Sequence, residues 1–161
     1  MKSTLPSLMV TVALAAAAAA PVLAADTPSP PPPAPTAPAR LADPLAPARM
    51  HIQGQRWPAA IDELRRVNAS GSADWNNLMG YALRKQATPD LEGAQRHYDA
   101  ALRLEPQHRG ALEYSGELAL MKGDLATAEK RAATLAKACG SAGCEELADL
   151  QKAIALFKSK K

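Results

Sequence analysis

Residues 91–135 read LEGAQRHYDAALRLEPQHRGALEYSGELALMKGDLATAEKRAATL, and one apolar pattern occurs twice in this stretch at an interval of 34 residues. Leu91 and Ala94 begin the first copy, and Leu125 and Ala128 begin the second. Two further matched pairs complete the copies, Tyr98 with Ala132 and Ala101 with Leu135. The interval extends back to four earlier apolar residues, Trp57, Ala60, Leu64 and Val67. A fixed interval of about 20 to 50 residues is typical of repeat architectures, so the sequence predicts a stack of repeated units.

Each unit is predicted to contain two helices. Between residues 75 and 86 apolar side chains recur at helical spacing, with Ser72 and Asp74 as candidate N-caps. A partner helix is predicted to follow, with Thr88 as its cap and Pro89 in its first turn, where the missing N–H costs nothing. A proline after residue 105 is expected to end this helix, because the residue before a proline avoids helical geometry.

The next unit keeps the same order. Its first helix covers residues 111–121, and Gly123 and Asp124 are predicted to stop it and to cap the helix that follows. Gly80 and Gly116 are matching candidates for close helix approach, but they lie 36 residues apart. Two extra residues are therefore placed in the loop at residues 87–90, and the register of the first helix around its tryptophan is left open by one residue.

The two ends of the repeat region differ from its middle. In the first unit the second helix is predicted at residues 58–67, but the first helix covers only about residues 48–54, because Pro44 and Pro47 interrupt it. This unit is interpreted as a truncated, capping half-repeat. Residues 145–158 form an amphipathic C-terminal capping helix, with acidic residues in its first turn and lysines near its end.

The positions of small and bulky residues that recur every 34 residues resemble those of the tetratricopeptide repeat (TPR) family over about residues 48–140. The resemblance implies an all-α fold, a short solenoid of about two and a half to three helix-turn-helix units. It also implies that a protein or peptide binds along the concave face, which the first helix of each unit lines. The candidate groove residues on those helices are Asn77, Tyr81, Arg84, Lys85, Glu113, Glu117 and Met121.

Part of this set has an alternative interpretation. Arg109, Glu113 and Glu117 follow one another at i, i+4 and could form a solvated ion-pair row instead of a ligand contact. The lysine and asparagine constellation with which some family members hold a peptide's terminal carboxylate is not reproduced. Binding of chaperone tails in that way is therefore disfavoured.

The N-terminus is predicted to be a signal peptide over residues 1–25. Lys2 supplies the positive charge, residues 8–20 form the apolar stretch, and cleavage is expected near Ala24 or Ala25. A retained membrane anchor is the alternative, whereas no membrane insertion is expected once the signal is removed. The segments around His108–Tyr114, Gly123–Leu125 and Cys144–Leu147 also resemble small exported repeat proteins of Gram-negative bacteria, which implies a periplasmic location.

Residues 26–47 are rich in proline and alanine and are predicted to be a disordered linker, with the folded unit starting near Leu45 and the solenoid assigned to residues 48–161. Binding of this linker to an aromatic groove is an alternative, although no basic residues flank its run of four prolines. The formal charge of +3 falls to +2 without Lys2, which is too small to indicate nucleic-acid binding.

Cys139 and Cys144 are the only two cysteines, and four small residues separate them. In an exported chain this arrangement predicts a structural disulfide that fixes the C-terminal helix. A redox-active pair is the alternative, although the spacing is not Cys-x-x-Cys, and metal binding would need further ligands.

Candidate catalytic groups are isolated in the sequence. His51, His97 and His108 have no cysteine or second histidine at metal or catalytic spacing, and no serine has a nucleophile-elbow context. We therefore expect no catalysis, no cofactor and no metal site. The favoured function is an exported module that binds a protein or peptide as an adaptor or assembly factor in the cell envelope. The alternatives are a thiol redox or metal-handling protein using the two cysteines, and a structural subunit of a larger complex.

Overall fold

Seven α-helices make up residues 43–160, the part of the chain that the computed structural model describes. In chain order they are α1 (Ala46–Gln53), α2 (Trp57–Val67), α3 (Ala73–Lys85), α4 (Leu91–Leu104), α5 (Arg109–Met121), α6 (Leu125–Cys139) and α7 (Glu145–Ser159). No β-strand occurs within these residues, which confirms the all-α prediction. None of these seven helices is both long and apolar enough to cross a membrane.

The helices pack mainly in consecutive pairs. α1 packs against α2, α3 against α4 and α5 against α6, while α7 packs against both α5 and α6. Further contacts between α2 and α3 and between α4 and α5 join one pair to the next. The result is a helical, repeat-like fold in which each pair covers an apolar face of its neighbour.

The 34-residue interval of the sequence is also the interval between helix starts. α2, α4 and α6 begin at Trp57, Leu91 and Leu125. α4 and α6 are capped in the same way. The carboxylates of Asp90 and Asp124 accept the backbone N–H groups three residues later, at 2.7 and 3.0 Å. An aspartate in this position satisfies a donor that the first helical turn leaves without a partner. Asp124 is the cap that the sequence predicted.

Small residues set the distance between helices. Ala60, Ala94 and Ala128, which keep the 34-residue interval, have no exposed surface. Gly80 on α3 is equally tight, because a Cβ there would lie 2.7 Å from the ring of Tyr98 on α4. These positions therefore exclude larger side chains, as close helix approach requires.

Trp75 has a defined position in the register of α3. Its backbone N–H donates to the Ser72 hydroxyl at 3.3 Å, which confirms Ser72 as the N-cap. The indole is buried, and its Nε1–H donates to the carbonyl of Leu64 on α2 at 2.8 Å. Trp75 thus packs against α2, whereas Gly80 packs against α4.

The start of the folded part corrects the predicted linker boundary. α1 begins at Ala46, and Pro47 lies in its first turn, where proline needs no hydrogen-bond partner. Leu45 is buried, and its N–H donates to Asp43 at 2.9 Å. Ala46 and Pro47, which the sequence analysis assigned to the linker, therefore belong to α1. Residues 1–42, on which the signal peptide and most of the linker fall, lie outside the described part.

A second correction concerns the start of α4. Thr88 was predicted as its cap and Pro89 as a first-turn residue, but the helix begins two residues later than Pro89, at Leu91. Asp90 takes the capping role because its carboxylate reaches the Gly93 N–H. A charged acceptor bonds the helix terminus more strongly than a hydroxyl does.

α7 completes the core at the C-terminal end. Its buried residues Leu150 and Ile154 belong to one apolar cluster with Leu112 of α5 and Leu135 of α6. A Cβ on Gly116 of α5 would lie 2.7 Å from Leu150. The capping helix therefore packs closely, and it ends one residue beyond the predicted range of 145–158.

A disulfide joins the end of α6 to the start of α7. Cys139 and Cys144 are bonded, with Cα atoms 5.6 Å apart, and both pack against the cluster around Leu150. Gly140 and Gly143 between them have φ angles of 64° and 69°, which favour glycine. The predicted disulfide is confirmed, and it links the start of α7 covalently to the end of α6.

Candidate functional site

The seven predicted groove residues fall into two groups. Lys85 and Met121 are exposed, and Tyr81 and Glu117 are half-buried. Asn77, Arg84 and Glu113 each have less than a tenth of their surface exposed. Tyr81, Lys85, Glu117 and Met121 therefore form an accessible group at the C-terminal ends of α3 and α5. The other three residues lie inside the protein.

Asn77 is part of the packing between α3 and α5. A Cβ on Gly110 would lie 2.8 Å from Asn77 Nδ2, so the start of α5 lies directly on this side chain. Asn77 is 8 % exposed, and its position corrects the prediction that it lines an open groove.

Arg84 is buried directly behind the accessible group and contacts its members. Its Nη2 donates to Glu117 Oε2 at 2.6 Å, and its Nη1 lies 3.9 Å from the sulfur of Met121. The guanidinium carbon is 5.6 Å from the ring centroids of both Tyr81 and Tyr114. A buried arginine in contact with one carboxylate and two aromatic faces is held in a single geometry.

The alternative prediction of a solvated ion-pair row along α5 is wrong. Glu117 bonds Arg84 on the neighbouring helix, and Arg109 lies 3.9 Å from Glu146 of α7. Glu113, the middle member of the proposed row, is buried. The two outer members of the predicted row therefore pair with residues of other helices instead of with Glu113.

An aromatic cluster surrounds Arg84. The Tyr81 ring lies 4.5 Å from Tyr114 and 5.7 Å from Trp57, and Tyr98 lies 6.4 Å from Tyr114, measured between centroids. Burial raises the pKa of the hydroxyl groups of Tyr81, Tyr98 and Tyr114, so these side chains stay neutral. The sequence analysis did not include Tyr114 among the candidate groove residues. The sequence contained a signal for this residue. Tyr81 and Tyr114 are 33 residues apart, and Arg84 and Glu117 have the same separation.

Glu113 lies among like charges. Besides Glu117 on its own helix, Glu146 and Asp149 of α7 act on it, opposed by Arg84 of α3. Burial, followed by these carboxylates, raises the pKa of Glu113 from its ordinary 4.5 to about 8. Near neutral pH this side chain is mainly protonated, which reduces the repulsion between α5 and α7.

Two pockets open on the accessible group. The first, which we name the α7 pocket, has a volume of about 450 Å³ and lies between α3, α5 and α7. Its lining residues are Arg84, Lys85, Glu117, Leu120, Met121, Ala153, Leu156, Phe157 and Lys160. The second, the Trp57 pocket, has a volume of about 330 Å³ and is lined by Ile52, Gln53, Gln55, Trp57, Tyr81 and Lys85. Lys85 lines both pockets, so they adjoin at this residue.

Two of the residues that line the α7 pocket are large apolar side chains with strong solvent exposure. Met121 and Leu156 are 53 % and 54 % exposed, and they are two of the four large apolar side chains that are strongly exposed in residues 43–160. The other two, Met50 and Leu104, are separate from this pocket. Clustered exposed apolar side chains mark surfaces that bind other molecules.

Two of the three histidines, His97 and His108, form hydrogen bonds that support the packing of the helices. His108 caps α5 by accepting the Ala111 N–H at Nδ1, and its Nε2 lies 2.9 Å from Asp74. His97 Nδ1 lies 3.0 Å from Asn76 Oδ1. Within residues 43–160, no group of three or more histidine, cysteine or acidic side chains is placed to hold a metal ion.

A scan against protein-family models gives no match, and a search of curated proteins gives none either. The function is therefore inferred from the two pockets and the residues between them.

Proposed function

We propose that this chain is an exported, non-catalytic repeat module of TPR type that binds a protein or peptide as an adaptor or assembly factor in the cell envelope. The observation that carries the proposal is the pair of pockets that adjoin at Lys85, one between α3, α5 and α7 and the other between α1, α2 and α3. A continuous surface of this kind accommodates an extended segment better than a compact small molecule.

The periodicity supports a TPR-type arrangement. Helix starts at Trp57, Leu91 and Leu125 keep the 34-residue interval of that family, and a fully buried alanine follows each start by three residues. The pairing of consecutive helices agrees with a helix-turn-helix unit.

The composition of the pockets supports binding of a polypeptide. Apolar side chains form most of the lining of the α7 pocket and half of the lining of the Trp57 pocket, and Lys85 adds a cation at the rim of both. Rigid aromatic residues such as Tyr81 and Trp57 provide contact area with little loss of conformational entropy. Arg84 does not need a ligand for charge balance, since Glu117 already neutralises it.

The disulfide supports the proposed location. Bonds such as Cys139–Cys144 persist in oxidising compartments, of which the bacterial periplasm is one. Both cysteines pack against the core around Leu150, which favours a structural role over the alternative of thiol exchange.

Selection from a displayed library of random peptides of about 12 residues tests the binding proposal. The purified protein is the bait, and the recovered pool is screened again on two variants, Leu156→Asp in the α7 pocket and Met50→Asp as a control of similar exposure. We expect recovered peptides to bind the Met50→Asp variant and to lose binding to Leu156→Asp. An absence of enrichment, or equal binding to both variants, would contradict the proposal.

A further inference from the structure

We propose that the bound peptide places a large apolar side chain in the α7 pocket and a neighbouring acidic residue between Lys85 and Lys160. This inference rests on the proposed function and specifies the chemistry of its ligand.

Arg84 is not the residue that attracts the ligand's charge. It is 7 % exposed, and its guanidinium lies 2.6 Å from the Glu117 carboxylate. This pair leaves no net charge on the inner wall of the pocket. A ligand carboxylate placed there would meet Glu117 as well as Arg84, so the pair discriminates weakly between ligands.

Two lysines at the rim remain uncompensated. Lys85 and Lys160 are exposed, and no described carboxylate lies within ion-pair distance of either ammonium group. The nearest interaction of Lys85 is with the Tyr81 ring, whose centroid is 6.0 Å from Nζ. A rim with two free cations beside a neutral wall favours an anionic ligand and disfavours a cationic one.

The floor of the α7 pocket selects an apolar group. Leu120, Met121, Ala153 and Leu156 contribute to it, and the volume of about 450 Å³ admits a leucine or an aromatic side chain. Met121 is a flexible and polarizable residue that adapts to ligands of different shape. Covering the exposed halves of Met121 and Leu156 removes apolar surface from water, which favours binding.

The position of Lys85 sets the order of the ligand residues. Because Lys85 lines both pockets, an acidic residue bound to it has the α7 pocket on one side and the Trp57 pocket on the other. The ligand motif is therefore an acidic residue directly next to a large apolar residue, with a further apolar or flat group toward Trp57 and Tyr81.

The test uses the peptides recovered in the library selection, resynthesised with acetylated and amidated ends so that no terminal charge contributes. Each is compared with one version in which its acidic residue is replaced by lysine and another in which its large apolar residue is replaced by serine. Binding is measured by fluorescence polarisation to the wild type, to Lys85→Glu, and to Lys130→Glu as a control on the exposed surface of α6.

We expect recovered peptides to be enriched in an acidic residue beside a large apolar one. Lys85→Glu should weaken their binding about three- to tenfold and strengthen binding of the lysine versions, whereas Lys130→Glu should change neither. High salt should reduce the charge effect. The serine versions should bind weakly to every variant.

Four results would overturn the inference. Peptides that depend on Leu156 but show no acidic preference would leave the proposed function standing and remove this motif. The same holds if Lys85→Glu changes binding no more than Lys130→Glu. Strong displacement of the peptides by dodecanoate, with direct binding of dodecanoate dependent on Lys85, would assign the pocket to a fatty acid instead. A selection that recovers no peptide removes both the proposed function and the inference.

Discussion

Arg84 links two helices, α3 and α5, at the scale of a single side chain. It projects from α3, bonds Glu117 of α5 and lies against tyrosine rings of both helices. Removing one member of a buried, charged pair leaves the other without compensation, which makes such pairs sensitive to truncation.

We therefore expect Arg84→Ala to lower the free energy of unfolding by about 2–4 kcal/mol, because Glu117 loses its partner and the tyrosines lose a contact. Urea unfolding followed by circular dichroism measures this. Arg103→Ala, on the exposed surface of α4, is the control and should change stability by less than about 0.5 kcal/mol. Equal effects of the two substitutions would mean that the buried pair has no stabilising role.

Glu113 gives the structure a pH dependence. Its pKa is raised in the folded protein from 4.5 to about 8 by burial and by neighbouring carboxylates. A raised folded-state pKa gives stability that is fully present below pH 4.5 and is lost as the pH rises through 8. The carboxyl group must be neutral for α5 and α7 to pack without penalty.

Substitution Glu113→Gln keeps the shape of this side chain and removes its titration. The variant should equal the wild type near pH 4.5 and exceed it increasingly up to pH 8, by about 1–3 kcal/mol, with no further gain above that pH. Unfolding free energies of both proteins at several pH values test this. A stability difference that does not change with pH would show that Glu113 titrates normally.

At the scale of the helices, the repeat alanines fix how closely each pair packs. Ala94 and Ala128 have no exposed surface, and a leucine at either site would have to displace the partner helix. Ala94→Leu and Ala128→Leu should each lower the free energy of unfolding by about 1–3 kcal/mol.

The matched control for these substitutions is Ala133→Leu, at an exposed site of α6 with the same change in volume. Thermal melts of the three variants provide the comparison. If the control lowers the midpoint as much as the two repeat substitutions do, the 34-residue alignment does not identify packing sites.

The disulfide acts on one element, α7. Closure of a loop as short as that between Cys139 and Cys144 contributes only about 2 kcal/mol, and the apolar cluster of α1, α2 and α3 contains neither cysteine. In a Cys139→Ser, Cys144→Ser variant we expect faster amide hydrogen exchange in α7 and unchanged exchange in α3 and α4. Loss of protection throughout the protein would show that the loop holds the entire fold.

These elements also show what could be predicted from the sequence. The positions of Ala60, Ala94 and Ala128 follow from local periodicity, and Asp124 is recognisable as a cap from its neighbours. Asp90 was missed because Thr88 and Pro89 form an equally good start signal two residues earlier. Local patterns identify helices well, but competition between adjacent signals decides where a helix begins.

At the scale of the whole molecule, the site could be predicted only in part. Tyr81, Lys85 and Met121, three of the predicted groove residues, line the two pockets. The contributions of Leu156 and Lys160 were missed, because α7 was treated as a cap. Whether a terminal helix merely covers a core or also forms one wall of a pocket depends on its packing angle, which no periodicity in the sequence encodes.

α7 is thus part of the proposed site as well as of the core. Its inner residues, Leu150 and Ile154, pack against α5 and α6, while Ala153 and Leu156 line the α7 pocket. One helix can serve both roles because residues three or four apart lie on one face and their neighbours on another.

The central claim is that a peptide binds where α3, α5 and α7 meet, and mapping of backbone amide chemical shifts by NMR tests it most directly. The purified protein is titrated with a peptide recovered from the selection. The account predicts concentration-dependent shifts at the C-terminal ends of α3 and α5 around Lys85 and Met121, together with the last turns of α7 around Leu156. Shifts confined to the loop after Leu104 or to the exposed surface of α6 around Lys130 would contradict it.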